Sequence, residues 1–211
     1  MTKGLFITFE GGDGAGKSTQ IERLKGYLEE QGYEVLLTRE PGGTNVGEKI
    51  REVLLDPANV EMDPMTETML YAAARAQLVA EVIRPALHKG MIVISDRFLD
   101  SSLAYQAWGR GLGSSVLEIN SYGIGDCMPD LTVYLRVDPD TGRKRIRQRE
   151  QDRIESETEQ FHQKVFNGYE QLCKDYPERI FRVDASRSIE DIEMTIRTEV
   201  KRRIDGFSFG K

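Results

Sequence analysis

The chain has 211 residues and a formal net charge of −6, and 30% of its residues are charged while 39% are hydrophobic. This balance is ordinary for a folded globular protein, and the length favours one domain spanning residues 1–211. The acidic balance argues against a global field that attracts nucleic acid or an anionic membrane, and no apolar stretch is long enough to span a bilayer. Cys127 and Cys173 lack the C-x-x-C spacing, and no signal segment precedes the first strand, so we expect a cytoplasmic protein.

A glycine-rich segment follows the first apolar run, residues 5–9, and it has the spacing Gly, four residues, then Gly-Lys-Ser between Gly11 and Ser18. Glycines let several backbone N–H groups converge on an anion at the start of a helix. Lys17 then suits the β- and γ-phosphates of a nucleotide, and the Ser18 hydroxyl suits Mg²⁺. A plain glycine-rich turn is the alternative, but the strand before and the helix pattern after favour a phosphate-binding loop.

Apolar spacing predicts a first helix over residues 20–31 and a second buried strand over residues 34–38. The loop 39–43, Arg-Glu-Pro-Gly-Gly, follows the carboxyl end of that strand. Ligands of open parallel sheets bind at this edge, although the same residues also suit a plain turn.

Two helices are predicted next, a short one over residues 47–55 and a long one over residues 65–89 that Pro85 kinks or splits. Tyr71 and Arg75 lie four residues apart, so they share one face of the long helix. That face can stack on and hydrogen-bond a nucleotide base. A core tyrosine beside a solvated arginine would produce the same pattern.

The apolar run 91–96 predicts a central strand that ends in the carboxylate of Asp96, as the Mg²⁺-binding acid of a phosphate-loop protein does. Arg97 follows directly, and an acid beside an arginine at this place favours a phosphate and metal site over a surface ion pair. Residues 101–106 suit a substrate-facing helix, and residues 108–113 are predicted to form a loop.

A basic segment begins after the predicted fourth strand, residues 131–137. Arginine and lysine dominate positions 143–153, although acidic residues interrupt them, and such a run is often only a solvated helix face. In a phosphate-loop protein, however, a mobile basic segment can neutralise charge on a migrating phosphoryl group. We therefore predict a lid at about residues 148–157, a fifth strand over 179–184 and a last helix over 189–204 that Ser188 caps.

Five short apolar strands that alternate with helices predict an α/β fold whose parallel sheet is covered by helices on both faces. The chain lacks the Asn-Lys-x-Asp tetrapeptide with which GTPase switches read their base, and 211 residues leave little room for the insertions of motor or transporter ATPases. A small phosphotransferase is the class that remains.

Several segments, taken in order over about residues 4–204, closely resemble the thymidylate kinase family. They are residues 9–19, 38–43, 71–75, 96–98, 101–106 and 152–155. The resemblance implies a P-loop NTPase fold with strand order 2-3-1-4-5, transfer of the ATP γ-phosphoryl group to dTMP with Mg²⁺, and usually a homodimer. Gly14 and Ala15 stand where one class of the family has an arginine, which, with an arginine-rich lid, is typical of the bacterial class.

The resemblance also implies roles for individual residues. ATP would be bound by Gly11, Gly12, Asp13, Gly14, Ala15, Gly16, Lys17, Ser18, Thr19, Ala185 and Ser186. The dTMP site would comprise Asp13, Arg39, Pro41, Arg51, Tyr71, Arg75, Arg97, Ser102, Tyr105 and Gln106. The catalytic group would be Lys17, Arg97, Arg149, Arg153 and Asp13, and the Mg²⁺ ligands would be Ser18 and Asp96.

Within that set, Tyr71 would stack on the base, Arg75 and Gln106 would hydrogen-bond its edge, and Tyr105 would disfavour ribose. Asp13 would serve either the sugar 3′-hydroxyl or the metal. Two other functions stay open from the residues: a kinase for another nucleotide or nucleoside, and a P-loop switch that does not turn over a metabolite.

Overall fold

The computed structural model describes residues 4–146 and 151–207, and within these ranges five parallel strands form one sheet. The strands are β1 (Leu5–Glu10), β2 (Val35–Arg39), β3 (Ile92–Asp96), β4 (Leu131–Arg136) and β5 (Ile180–Asp184). Their spatial order is β2-β3-β1-β4-β5, which confirms the predicted order. Because β1 pairs in register with β3 up to Phe9 and Asp96, both central strands deliver their last residues to the same edge of the sheet.

Helices cover both faces of this sheet. They are α1 (Lys17–Glu30), α2 (Asn45–Leu55), α3 (Pro64–Leu78), α4 (Arg84–His88), α5 (Leu99–Ser102), α6 (Ser115–Ile124), α7 (Pro139–Ile146), α8 (Glu159–Asp175) and α9 (Ile189–Asp205). Ser188 caps α9 as predicted, since its hydroxyl accepts a hydrogen bond from the backbone N–H of Asp191. No helix of the described residues is long and apolar enough to cross a membrane.

Two π-helical segments modify the predicted helices. Val79–Ile83 joins α3 to α4, so the long predicted helix is divided just before Pro85, where the missing N–H weakens the regular ladder. Leu103–Gly109 continues α5, so Trp108 and Gly109 are helical and the loop predicted from Trp108 begins later. The reason is close packing on α8: a Cβ added to Gly168 would lie 2.9 Å from the Cβ of Trp108.

The core has two parts, one on each face of the sheet, because alternate residues of a strand point to opposite faces. In β1, Phe6 belongs to the part that also contains α3, α6 and α8 residues, whereas Ile7 and Phe9 pack with the buried stripes of α1 and α9. Buried residues on both faces explain the near-continuous apolar runs of the central strands.

Candidate active site

The loop between β1 and α1 has the geometry of an anion-binding loop. Gly16 has a left-handed backbone (φ +90°) directly before Lys17, the first residue of α1. Gly14 also has a positive φ of +75°, and a Cβ there would lie 2.2 Å from the carbonyl oxygen of Gly142 in α7. The loop thus needs glycine both for its turn and for its contact with α7, and it directs the N-terminus of α1 at a bound anion.

Lys17 lies almost buried over this loop. Its ammonium donates hydrogen bonds to the carbonyl oxygens of Gly11 (3.1 Å) and Gly12 (3.2 Å). Burial, with the nearby Arg97 charge, lowers the pKa of Lys17, and Asp13 opposes that shift. The cation is therefore held where phosphate oxygens of a nucleotide would arrive.

A cavity of about 490 Å³ opens at the carboxyl edge of the sheet, beside this loop. It is lined by donor-side and acceptor-side residues predicted above, namely Asp13, Gly14, Ala15, Gly16, Lys17, Ser18, Thr19, Arg39, Pro41, Arg51, Tyr71, Arg75, Asp96, Arg97, Ser102, Tyr105 and Gln106. Among the described residues of the predicted site, Gly11, Gly12, Arg153, Ala185 and Ser186 do not line it. One cavity therefore joins the two predicted substrate sites.

Arg97, which lines this cavity, has a strained backbone. Its φ of +70° makes it the one non-glycine residue with a positive φ among those the structure describes. Three hydrogen bonds fix the strained peptide units: Arg97 N–H donates to Phe9 O (2.9 Å), Ser95 Oγ donates to Arg97 O (2.7 Å), and Phe98 N–H donates to Glu10 Oε1 (2.8 Å). Such over-determined strain is typical of functional positions.

The Arg97 guanidinium is aimed by its side-chain partners. Nη2 lies 2.7 Å from Asp13 Oδ1 and 3.3 Å from the Tyr105 hydroxyl, and Nη1 donates to Ser101 Oγ at 3.1 Å. Burial on its own raises the pKa of Asp13, but the charges of Arg97 and Lys17 outweigh it and lower the pKa. Asp13 is thus an anion that holds Arg97 beside the phosphate loop.

Glu10 hydrogen-bonds residues that neighbour or contact Arg97, and the sequence analysis assigned it no role. Its buried carboxylate accepts hydrogen bonds from Phe98 N (2.8 Å), Ser101 N (3.2 Å), Ser101 Oγ (2.6 Å) and the Tyr169 hydroxyl (2.8 Å). Burial and the Asp100 charge raise the pKa of Glu10 to about 6, although the Arg97 charge on its own lowers it. A carboxylate at the end of a buried strand was the available signal, because such a group requires partners.

Arg75 lines the cavity, and its guanidinium donors have partners within the protein. Nε donates to Glu40 (2.7 Å), Nη1 donates to Ser102 (3.0 Å) and to Asn120, and Nη2 donates to the Phe98 carbonyl (3.0 Å) and pairs with Glu40 (2.5 Å). All five N–H groups are therefore engaged within the protein. Contact with a base edge, as predicted for Arg75, would require one of these partners to be exchanged.

Arg39 and Arg51 line the part of the cavity that was predicted to bind the acceptor. Arg39 pairs with Glu48 at 2.7 Å, and Arg51 donates to the carbonyl oxygen of Pro41 at 2.9 Å. Burial and the Arg39 charge lower the pKa of Arg51. Both guanidinium groups line the cavity and add positive charge where an acceptor phosphate would enter.

Arg153, one of the two predicted lid arginines, is held by partners within the protein. Arg153 was predicted to act on the phosphoryl group, but its buried guanidinium donates to Leu54 O (2.8 Å) and Glu67 Oε2 (2.7 Å), away from the phosphate loop. The physical reason is Glu67, whose fully buried carboxylate requires cationic partners. Arg149 lies outside the described residues.

Arg145, which sequence reasoning did not select from the basic run, takes the donor-side position. It lines the cavity, and it donates to Gly14 O (3.1 Å) and Ala185 O (3.2 Å). These bonds connect the phosphate loop to the loop after β5, where Ala185 and Ser186 were predicted to contact ATP.

A metal ion fits the residues at the end of β3. Asp96 Oδ1 is buried and accepts no hydrogen bond within the described residues, and Ser18 lines the same cavity. Oxygen donors of this kind suit Mg²⁺. The described part of the chain holds no cluster of three or more His, Cys, Asp or Glu residues for a metal, so substrate phosphates and water would complete the coordination.

The phosphate loop between β1 and α1, set in this parallel sheet, defines a P-loop NTPase fold. A family model described as Thymidylate kinase matches residues 9–196. The chain is similar to the thymidylate kinase of Halalkalibacterium halodurans, with 47% identity over 97% of this chain and 99% of that protein, and to that of Bacillus licheniformis, with 50% identity over 89% and 90%. The crystal structure of thymidylate kinase from Ehrlichia chaffeensis superposes with a TM-score of 0.77 and 32% identity, covering 94% of this chain and 99% of that one. A P-loop, a cavity beside it and full-length similarity agree: the chain belongs to the thymidylate kinase family.

Proposed function

We propose that this enzyme transfers the γ-phosphoryl group of ATP to dTMP and produces dTDP and ADP. The single observation that carries the proposal is the shared cavity, which the phosphate loop lines together with Arg97, Tyr71, Tyr105 and Gln106. A nucleotide switch has no need of an acceptor pocket of this kind. The names of the similar proteins support the same substrate.

The reaction needs alignment more than covalent chemistry. A phosphate oxygen of dTMP attacks the γ-phosphorus in line with the leaving ADP oxygen, so no protein nucleophile forms a bond. Arg97 would hold the acceptor phosphate, because its conformation is fixed before substrate arrives and its partner Asp13 belongs to the phosphate loop. Donor and acceptor are thus positioned by two residues in direct contact.

Charge stabilisation would come from cations around the donor. Lys17 and the loop N–H groups would hold the β- and γ-phosphates, and Arg145 lies against the same loop. We retain Arg149 of the predicted lid as a further cation for the transition state. Ser18 and Asp96 would hold Mg²⁺, which when bound would neutralise phosphate charge and orient the donor.

The acceptor nucleoside would be recognised between α3 and the π-helical segment after α5. Tyr71 and Gln106 line this side and would stack on and hydrogen-bond the base, while Tyr105 would crowd a ribose 2′-hydroxyl. Its hydroxyl lies 3.3 Å from Arg97 Nη2, which keeps the ring beside the acceptor phosphate site.

We also infer a homodimer and a cytoplasmic location. Exposed apolar side chains on α3 and on the two helices packed against it support the dimer: Met69 on α3, Val53 on α2 and Tyr122 on α6. The thiols of Cys127 and Cys173 are free, which is consistent with a reducing compartment. Light scattering after size-exclusion chromatography tests the dimer.

A coupled ADP-release assay tests the activity, with ATP, Mg²⁺ and each of dTMP, dUMP, dCMP, AMP and UMP as acceptor. We expect fast turnover with dTMP, slower turnover with dUMP and little with the others, and loss of turnover in Lys17→Met or when EDTA removes the metal. Preference for another monophosphate would refute the acceptor assignment, and no turnover with any acceptor would refute the reaction.

A further inference from the structure

Glu67 of α3 connects the base side of the cavity with the predicted lid. Its side chain is fully buried and receives four hydrogen bonds. Oε1 accepts from Gln106 Nε2 (2.9 Å) and Arg110 Nε (3.2 Å), and Oε2 accepts from Arg110 Nη2 (2.9 Å) and Arg153 Nη2 (2.7 Å). The carboxylate is therefore saturated by three side chains, two from the π-helical segment and its C-cap and one from the predicted lid.

The partners keep Glu67 ionised. Burial on its own raises the pKa of this carboxyl, but the hydrogen bonds from Arg110 and Gln106, with the Arg110 charge, outweigh burial and lower it. An ionised carboxylate only accepts hydrogen bonds. Whatever faces Glu67 must consequently be a donor.

Gln106 thereby has one permitted orientation. Its NH₂ group faces Glu67, and a flipped carboxamide would place its oxygen 2.9 Å from a carboxylate oxygen, with two acceptors in contact. The residue lines the cavity, and its Oε1 accepts no hydrogen bond within the described part of the chain. The oxygen is the acceptor that Gln106 can offer to a base, beside the second N–H of its NH₂ group.

We propose that Glu67 determines base specificity by fixing the Gln106 carboxamide so that its oxygen faces the bound base. This inference rests on the proposed function and on Gln106 as a base contact. Thymine carries a donor at N3–H, which pairs with an amide oxygen, whereas N3 of cytosine is an acceptor and meets that oxygen with a second lone pair. Glu67 touches no substrate and acts as a positioning residue.

The fixed Gln106 oxygen would act beside Arg75, the other residue predicted to hydrogen-bond the base edge. Its N–H groups are all engaged by Glu40, Ser102, Asn120 and Phe98, so Arg75 would donate to O4 of thymine by exchanging one of these partners. A fixed acceptor at N3 separates the two bases, and it treats uracil and thymine alike. Glu67 would thus contribute to the rejection of dCMP and leave the tolerance of dUMP unchanged.

The test compares kcat/KM for dTMP, dUMP and dCMP in the wild type, Glu67→Gln and Glu157→Gln. In Glu67→Gln the new carboxamide can donate or accept, so Gln106 is free to flip, and we expect the dTMP to dCMP ratio to fall about tenfold or more while the dTMP to dUMP ratio is unchanged. Glu157→Gln is the matched control, because Glu157 also pairs with Arg110 (2.5 Å) but lies off the Glu67–Gln106 bond. Its ratios should equal those of the wild type.

A second measurement covers the case in which Glu67→Gln does not fold. In the ¹⁵N spectrum of the wild type, the Gln106 side-chain signal is identified by its absence in Gln106→Leu. We expect one of its amide protons to be shifted downfield and slow to exchange with solvent, with and without dTMP. Fast exchange, or an unchanged dTMP to dCMP ratio in folded Glu67→Gln, would overturn the inference. Absence of dTMP turnover in the wild type would instead overturn the proposed function.

Discussion

Replacement of Glu10 by glutamine tests how Arg97 is positioned. The new side chain keeps an oxygen for the N–H groups of Phe98 and Ser101, but it offers NH₂ where the Ser101 and Tyr169 hydroxyls now donate at 2.6 and 2.8 Å. A hydrogen bond to a charged group is worth about 1 kcal/mol more than a neutral one. Both hydroxyls contact Arg97, at 3.1 and 3.5 Å, so the loss of about 2 kcal/mol from two bonds should reach the acceptor site.

At about 1.4 kcal/mol per tenfold, that loss predicts a fall of roughly 30-fold in kcat/KM for dTMP, with the KM for ATP unchanged. Steady-state kinetics with each substrate varied in turn measures both. Tyr169→Phe removes only one of the two hydroxyls and should cost roughly fivefold. The reasoning would be refuted by a folded Glu10→Gln variant with wild-type dTMP kinetics, or by an equal loss for ATP.

Three further predictions concern stability and the phosphate loop. The pKa of Glu10 is raised from 4.5 to about 6, so its native state binds the proton more tightly than the unfolded chain does. This contribution to stability is complete below pH 4.5 and is lost as the pH rises through 6. Between pH 4.5 and 7, urea unfolding should show that the free energy of unfolding of the wild type falls by about 2 kcal/mol relative to that of Glu10→Gln. Leu28→Ala, at a fully buried position of α1, should lower the free energy of unfolding by about 3 to 5 kcal/mol and Tm by about 10 °C in calorimetry, and a change below 2 °C would contradict the packing described. Gly14→Ala, whose Cβ would lie 2.2 Å from Gly142 O, should raise the Kd for ATP at least about tenfold in calorimetric titration and leave dTMP binding intact.

The parallel sheet agrees with sequence reasoning because its strands are apolar runs and the functional residues follow their carboxyl ends, whereas its strand order was implied by the family resemblance. Asp96 and Arg97 were placed in this way, and both line the cavity. The pairing of Arg153 with Glu67 could not be predicted from the sequence, since a basic run does not show which buried carboxylate elsewhere in the chain it will contact. The same holds for Arg75, whose proximity to Tyr71 on one helix was predictable but whose saturation by Glu40 and Asn120 depends on tertiary structure.

The left-handed backbone of Arg97 sets stability against activity at a single position. Glycine adopts this conformation without the cost of about 1 kcal/mol that an arginine bears, and arginine is not among the residues that favour it. Selection for thermal resistance alone would therefore tend to replace this side chain. A consensus or directed-evolution screen scored only on melting temperature would drift toward inactive proteins here, so stabilising libraries of this enzyme should hold position 97 fixed and seek their gains in the helices remote from the cavity.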